Sequence, residues 1–349
     1  MPKHRRLRKK HGYKMYHGII NIYKEAGFTS HDVVAKLRGI LGQKKIGHTG
    51  TLDPDATGVL PVCLGVGTKL CDMLTDEGKE YVAELYLGVT TDTQDLSGTV
   101  LSRSDVMIDE KQLEEIIYSF VGEYEQIPPM YSALKVNGKK LYELARQGKV
   151  VERQPRRVQI DEIEILEISL PIVKMRVACS KGTYIRTLCD DIGKKAGCGG
   201  AMKSLIRSRV GTFVIEDALK LDKVEELVRC NVIENSIIKV DNMFPNLAKA
   251  SVKPGYYKLL KNGNCLELKM VNITEWSDDS VDATASNSLS DIESLSIDNS
   301  LNDVTRLNIE NTINDGARLR IYDAQGFFYG IYRFEKETKG LSPVKMFIT

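Results

Sequence analysis

Residues 47–65 constrain this chain more than any other stretch. They run Gly47-His48-Thr49-Gly50-Thr51-Leu52-Asp53-Pro54, then through Asp55 into Ala56-Thr57-Gly58-Val59-Leu60-Pro61-Val62-Cys63-Leu64-Gly65. One carboxylate, Asp53, stands among small and neutral residues with a proline behind it. Pro54 biases Asp53 towards extended or turn backbone. Gly47, Gly50 and Gly58 are expected to supply positive φ and close backbone approach. A loop of this kind holds one reactive side chain in a fixed place, which a catalytic carboxylate needs. A bare Thr-Leu-Asp-Pro would be an ordinary turn or helix cap; the length of the pattern lifts it above that reading.

The chain has 349 residues, 42% of them hydrophobic and 28% charged, enough for one large and one small domain with a sizeable core. No stretch of about eighteen apolar residues predicts a membrane span. The charged N-terminus has no apolar core of the kind a secretory leader carries. Seven scattered cysteines, with no C-x-x-C and no histidine cluster, predict reduced thiols in a cytoplasmic protein and no zinc or other metal site. The net charge of +2 is uneven. Residues 275–315 hold ten acids and one base, Arg306, while the first fourteen residues hold seven Lys or Arg and no acid. A basic body with a basic arm suits a polyanionic partner.

Along the chain, residues 1–16 are expected to be a flexible basic arm. Residues 18–23 have strand character. Ser30-His31-Asp32 opens a capped amphipathic helix carrying Val33, Val34, Leu37, Ile40 and Leu41. Residues 69–74 have helical character, 79–87 alternate as a strand, and 92–98 form a polar turn. Helical spacing covers 109–120, 183–195 and 224–230; residues 158–168 and 172–179 pair as strands. Strands and helices mix without regular βαβ alternation, which predicts an α+β fold with a mixed sheet. A boundary is expected near 244–250, giving a main domain at 17–244 and a small β-rich one at 245–349. Residues 272–315, rich in Ser, Asn and Asp, have the composition of a disordered acidic insertion within the second domain. Leu289, Ile292, Leu295, Ile297 and Leu301 recur there at roughly helical intervals.

Four blocks together carry a resemblance. The first is the 47–65 loop. The second is Lys79-Glu80-Tyr81. The third runs Gln126-Ile127-Pro128-Pro129-Met130-Tyr131-Ser132-Ala133-Leu134-Lys135 and on through Gly138-Lys139-Lys140-Leu141-Tyr142 to Gly148. The fourth is Cys179-Ser180-Lys181-Gly182-Thr183-Tyr184-Ile185-Arg186-Thr187-Leu188. The chain resembles the pseudouridine synthases that act on tRNA uridine 55, the bacterial T-loop enzymes. The first block matches their pattern G-H-T-G-x-L-D-P-x-A-T-G-x-L-P-x-x-x-G at every fixed position, and the likeness extends over nearly the whole chain. Short β-rich pieces at 317–322, 327–333 and 344–347 resemble the small PUA-type β-barrel found at the end of many RNA-modifying enzymes.

The resemblance implies a mixed-sheet catalytic domain with a thumb-like insertion, and isomerisation of tRNA uridine without cofactor or metal. It makes Asp53 the nucleophile or base, Arg186 its two-pronged partner, and Tyr81 a ring that stacks on the uracil and joins in proton transfer. An arginine beside Asp53 is expected to hold the carboxyl pKa low against burial. Tyr184 and Leu205 would line the uridine pocket, and His48 would fill the space left when the base swings out of the RNA. The third block would be the thumb, with Lys135, Lys139, Lys140, Arg146 and Lys149 near phosphates of the tRNA T-arm and Tyr131 and Tyr142 packing. Asp55 replaces a residue that is often apolar in the family, and the acidic insertion has no counterpart in its pattern. No membrane and no protein partner are implied. The alternatives are the catalytic subunit of a guide-RNA pseudouridylation particle, a non-catalytic tRNA-folding protein on the same scaffold, and a ribosomal or metabolic protein with a PUA-like tail. The thumb block and the intact Asp53, Tyr81 and Arg186 favour a stand-alone enzyme.

Overall fold

A computed structural model describes residues 14–136, 138–276 and 313–348. The basic arm up to residue 13 and the central part of the acidic stretch lie outside the described residues. The chain divides into two compact units, one built on Ile20–Ile237 and the other on residue 238 onward together with His17–Ile19.

The first unit is organised by a nine-stranded sheet. Seven of its strands lie side by side in the order Gly18–Lys24, Thr57–Leu64, Gly200–Val210, Lys79–Leu87, Ile172–Cys179, Arg156–Ser169 and Gly122–Gln126. Ile46–His48 and Phe213–Val214 attach to it beside Thr57–Leu64 and Gly200–Val210. Gly200–Val210 runs parallel to Thr57–Leu64 and antiparallel to Lys79–Leu87, so the sheet is mixed. Lys79–Leu87 alternates buried and half-buried along its whole length, as a period of two requires. Its buried face joins Leu113, Ile117, Ile163, Val173, Met175, Leu188 and Ile192 in one core cluster. The helices Glu110–Tyr118 and Ile185–Lys195 contribute to that cluster, the latter burying eight of its eleven residues.

The first helix, Ser30–Leu41, is capped by Thr29 rather than by the Ser30-His31-Asp32 start expected. Thr29 and Asp32 bond reciprocally as a capping box, and Gly42 closes the other end in the left-handed region. Ser30 is thereby free for another task, described below. The helix expected at 69–74 is a 3-10 turn, Gly65–Leu70, followed by the single-turn helix Cys71–Thr75.

The second unit holds a six-stranded sheet in the order Leu266–Glu267, Gly340–Met346, Phe328–Glu335, Arg318–Tyr322, Ala248–Val252 and Val271–Glu275. Its two edge strands are consecutive in the chain and joined by three residues, Leu268–Met270. Three residues span roughly 10 Å at most, so the sheet curls until its edges nearly meet, a half-barrel rather than a flat layer. Leu260, Leu319, Ile321, Tyr332, Phe334 and Leu341 fill it. The ends of the acidic stretch belong to this sheet: Val271–Glu275 is a strand pairing with Ala248–Val252, and Ile313 is buried. The insertion is therefore shorter at both ends than 272–315.

Candidate active site

Asp53 lies between the strands Ile46–His48 and Thr57–Leu64, on a loop fixed from three sides. The Leu52 N–H donates to Ser30 Oγ at 2.9 Å. Lys24, wholly buried, donates from Nζ to the carbonyls of Pro54 at 2.9 Å and Ala56 at 2.6 Å. Arg207 donates to the carbonyls of Val59 at 2.7 Å and Gly50 at 3.3 Å. Gly58 has φ +105°, and a Cβ there would lie 2.2 Å from the Arg207 carbonyl oxygen. Only glycine fits where the two parallel strands meet. Gly47 is not in the positive-φ region; its side is closed by the Cys71 sulfur, 3.1 Å from where a Cβ would sit.

Arg186 enters from the first turn of the helix Ile185–Lys195. A cation at that end opposes the helix dipole, and two carboxylates compensate. Nε lies 3.1 Å from Asp53 Oδ2 and Nη2 donates to Asp53 Oδ1 at 3.2 Å. Nη1 donates to Asp95 Oδ2 at 3.3 Å and to the Thr93 carbonyl at 3.2 Å, and Nη2 also donates to the Tyr131 carbonyl at 2.9 Å. The arginine side chain is 7% exposed and that of Asp53 39% exposed, so the carboxylate shows one edge to solvent while the protein packed around it removes much of its hydration, and its partner is enclosed. The expectation of a depressed Asp53 pKa fails. Burial pushes the carboxyl above its ordinary value, with Asp95 and Asp55 adding to the rise, and Arg186 and Lys24 reverse it only in part.

Tyr81, on Lys79–Leu87, lies opposite Arg207 on the neighbouring strand, and Leu205 lies opposite Ala83 two residues along. Tyr81 and Leu205 share a core cluster with Leu52 and Ile185, the residues that flank Asp53 and Arg186. Tyr81 is 9% exposed, and burial pushes its hydroxyl up. Tyr184 is half-buried at the N-cap of the Arg186 helix. Its backbone is gripped by the buried side chain of Gln126. Lys79, which opens the second block, serves the fold. It donates to the Thr75 and Glu77 carbonyls at 2.6 Å each, closing the end of the Cys71–Thr75 helix.

His48 is half-buried, with its ring edge-on to His31 at 5.3 Å between centroids. The Gly50 N–H donates to His48 Nδ1 at 3.3 Å, which places the ring proton on Nε2. Burial, then His31 and Arg207, lower its pKa to about 4, so the ring is neutral at pH 7. In the third block, the strands Lys135–Val136 and Lys139–Lys140 form a small hairpin leading into the helix Leu141–Ala145. Lys135, Lys139, Arg146 and Lys149 are exposed. Lys140 and Arg146 both lie over the Tyr142 ring, 5.4 and 5.5 Å from its centroid. The Tyr131 carbonyl bonded to Arg186 links this segment to Asp53.

Residues 38–185 match the model of the TruB family pseudouridylate synthase N-terminal domain, and residues 186–241 match the tRNA pseudouridylate synthase B C-terminal domain. The chain is 49% identical over 340 residues to the tRNA pseudouridine synthase B of Lachnoclostridium phytofermentans, covering 95% of this chain and 99% of the relative. The chain belongs to the TruB family of pseudouridylate synthases. The enzyme of the same name from Alkaliphilus oremlandii is 50% identical over 247 residues, 71% of this chain and 82% of its own. In fold, the chain is similar to a chain of an H/ACA RNP bound to a substrate RNA containing 2′-deoxyuridine. That similarity has a TM-score of 0.62 at 23% identity and covers 95% of this chain and 85% of the other.

Three residues of this TruB-family site escaped the sequence reading. Asp95 lay in a stretch read as a polar turn, and nothing in its spacing sets it apart. Lys24 carried a signal: it continues the alternation of Ile20 and Ile22, so a strand period of two points it inward. Arg207 carried the same signal, two residues beyond buried Leu205. Among the described residues, no three His, Cys, Asp or Glu side chains converge as metal ligands would. No helix of those residues is long and apolar enough to cross a membrane.

Proposed function

We propose that this TruB-family protein isomerises uridine 55 in the T-loop of tRNA to pseudouridine, with Asp53 as its nucleophile or base. The observation that carries the reading is the ion pair between a partly exposed Asp53 and an enclosed Arg186, set beside Tyr81 and Leu205. Breaking the uracil N-glycosidic bond leaves positive charge on the ribose, and a fixed carboxylate can trap or stabilise that charge. Arg186 holds the carboxylate by two nitrogens and so fixes its direction. The target base must leave the folded RNA before Asp53 can reach its sugar. His48, neutral and half-buried on the rim of the Asp53 loop, has the size and a ring donor at Nε2 to occupy the space it leaves. Tyr81 and Leu205 offer the apolar face for the uracil, and Tyr184 borders it.

The exposed Lys135, Lys139 and Arg146, with Lys140 beside them, are proposed to meet T-arm phosphates, and the curled sheet of the second unit to serve as a PUA-like RNA-binding module. The names of its relatives support a tRNA substrate; a stand-alone cytoplasmic enzyme acting without cofactor or protein partner is part of the same proposal. The test is to incubate the pure protein with unmodified tRNA transcript alone and map pseudouridine along it. Conversion at position 55 is expected. No conversion, or conversion elsewhere only, overturns the reading.

A further inference from the structure

Gln94 stands between the two residues whose oxygens engage Arg186 Nη1, through the Thr93 carbonyl and the Asp95 carboxylate. Its backbone sits at φ +65°, in the left-handed region that disfavours a side chain. Its carbonyl accepts from the Met202 N–H at 2.9 Å, which ties the turn to the sheet. Its half-buried side chain reaches the helix that carries Arg186. Oε1 accepts from Thr187 Oγ1 at 2.8 Å, and Nε2 donates to Asp190 Oδ2 at 2.8 Å. Thr187 is 2% exposed and Asp190 5%, so water competes little for either bond.

A glycine would take this backbone without strain, so the amide at this position needs a reason. The turn is already organised around Asp95. Asp95 Oδ1 accepts from Thr93 Oγ1 at 2.7 Å and from Ser97 Oγ at 2.6 Å, which leaves Oδ2 for Arg186. What those bonds do not set is where the turn lies against the helix. The contacts from Arg186 Nη1, at 3.2 and 3.3 Å, are too long to fix it alone. The two shorter bonds of the Gln94 amide, to residues one and four positions after Arg186, do.

We propose that Gln94 is a positioning residue of the reaction: its amide locks the 92–98 turn to the Arg186 helix and so sets the angle at which the guanidinium meets Asp53. The inference rests on the function proposed above. A guanidinium is planar and moves as one piece. Nη1 faces the turn while Nε and Nη2 face Asp53, so a shift of the turn is carried to the carboxylate.

The test compares the wild type, Gln94→Gly, Asp95→Asn and the double variant in single-turnover conversion of tRNA, with affinity from filter binding and folding from thermal melting. Gln94→Gly keeps the left-handed backbone and removes the amide. Its conversion is expected to slow roughly tenfold at unchanged affinity, the scale of a small misplacement of reacting groups. If Gln94 acts through the Asp95–Arg186 contact, adding Gln94→Gly to Asp95→Asn slows the enzyme no further. Losses that multiply overturn the proposal, as does a Gln94→Gly enzyme with the wild-type rate. If Asp95→Asn is too slow to measure, the pH profile of Gln94→Gly decides. Arg186 is the largest influence holding the Asp53 carboxyl down, so a slackened grip moves the acid limb to higher pH, and an unmoved limb overturns the proposal. If Gln94→Gly does not fold, Thr187→Val, which keeps the shape and removes the donor to the amide, takes its place with the same outcomes. Wild-type protein that converts no uridine would instead overturn the reading of the site, so the two failures are distinct.

Discussion

Gln126 grips the backbone of Tyr184 from both sides. Its Oε1 accepts from the Tyr184 N–H at 2.7 Å, and its Nε2 donates to the Tyr184 carbonyl at 3.0 Å. A side-chain amide thus does here what a neighbouring strand does elsewhere, and it fixes the residue from which the Arg186 helix starts. Gln126 is 1% exposed, so its bonds do not compete with water. Gln126→Glu keeps the shape but cannot donate while ionised. It is expected to lower turnover on tRNA by roughly tenfold to a hundredfold, the scale of a small misplacement of reacting groups. Tritium release from 5-tritiated uridine would measure it, and tRNA affinity should change little.

Asp53 itself should be indispensable. Asp53→Asn keeps the volume and removes the charge, and isomerisation should vanish while tRNA binding survives. A filter-binding assay beside the tritium assay separates the two, and normal turnover by the mutant would sink the assignment.

The acid side of the pH–rate profile should also report on Asp53. Burial raises its carboxyl, so as pH falls it takes up a proton earlier than an exposed Asp with the ordinary value of 3.8. The limb of kcat/KM should therefore lie above pH 3.8. Arg186→Gln removes the largest influence holding it down and should move the limb higher. For stability the sign is opposite: a raised carboxyl favours the folded state as pH falls through that window.

His48 should make the protein acid-sensitive. Its folded pKa of about 4 lies below the ordinary 6.5, so the folded state holds the neutral ring. Its contribution is constant above pH 6.5 and is lost as pH falls from there towards 4. Urea midpoints at pH 7 and pH 5 should differ more for the wild type than for His48→Gln.

Gly58→Ala should be among the most damaging single-methyl changes in the chain. The added carbon would meet the Arg207 carbonyl at 2.2 Å in a backbone conformation at φ +105°. A loss of about 3 kcal/mol or more is expected, from strain and the parted strands together. Urea denaturation would measure it.

Most of the fold could be read from the chain because its long elements carry clean periods. The strand Lys79–Leu87 and the helix Ile185–Lys195 are amphipathic without ambiguity. Boundaries were less legible where a residue's tertiary partner outweighs its local preference. Ser30 looks like a cap but serves Leu52, and Cys71–Thr75 is too short to show a period. At the site, the residues set in long motifs, Asp53 and Arg186, stood out. Asp95 did not, because its partner is about ninety positions away and a lone Asp in a turn looks like any other. The direction of the Asp53 pKa was misread for a related reason: the weight of burial depends on neighbours that spacing alone cannot place.

Arg186 arrives fully committed. Both hydrogens on each terminal nitrogen already have a carbonyl or carboxylate oxygen, and its third nitrogen faces Asp53. It has no hand left to offer an incoming nucleic acid. Raising the ionic strength should thus weaken capture of the substrate through surface lysines and leave the rate of the captured complex almost untouched.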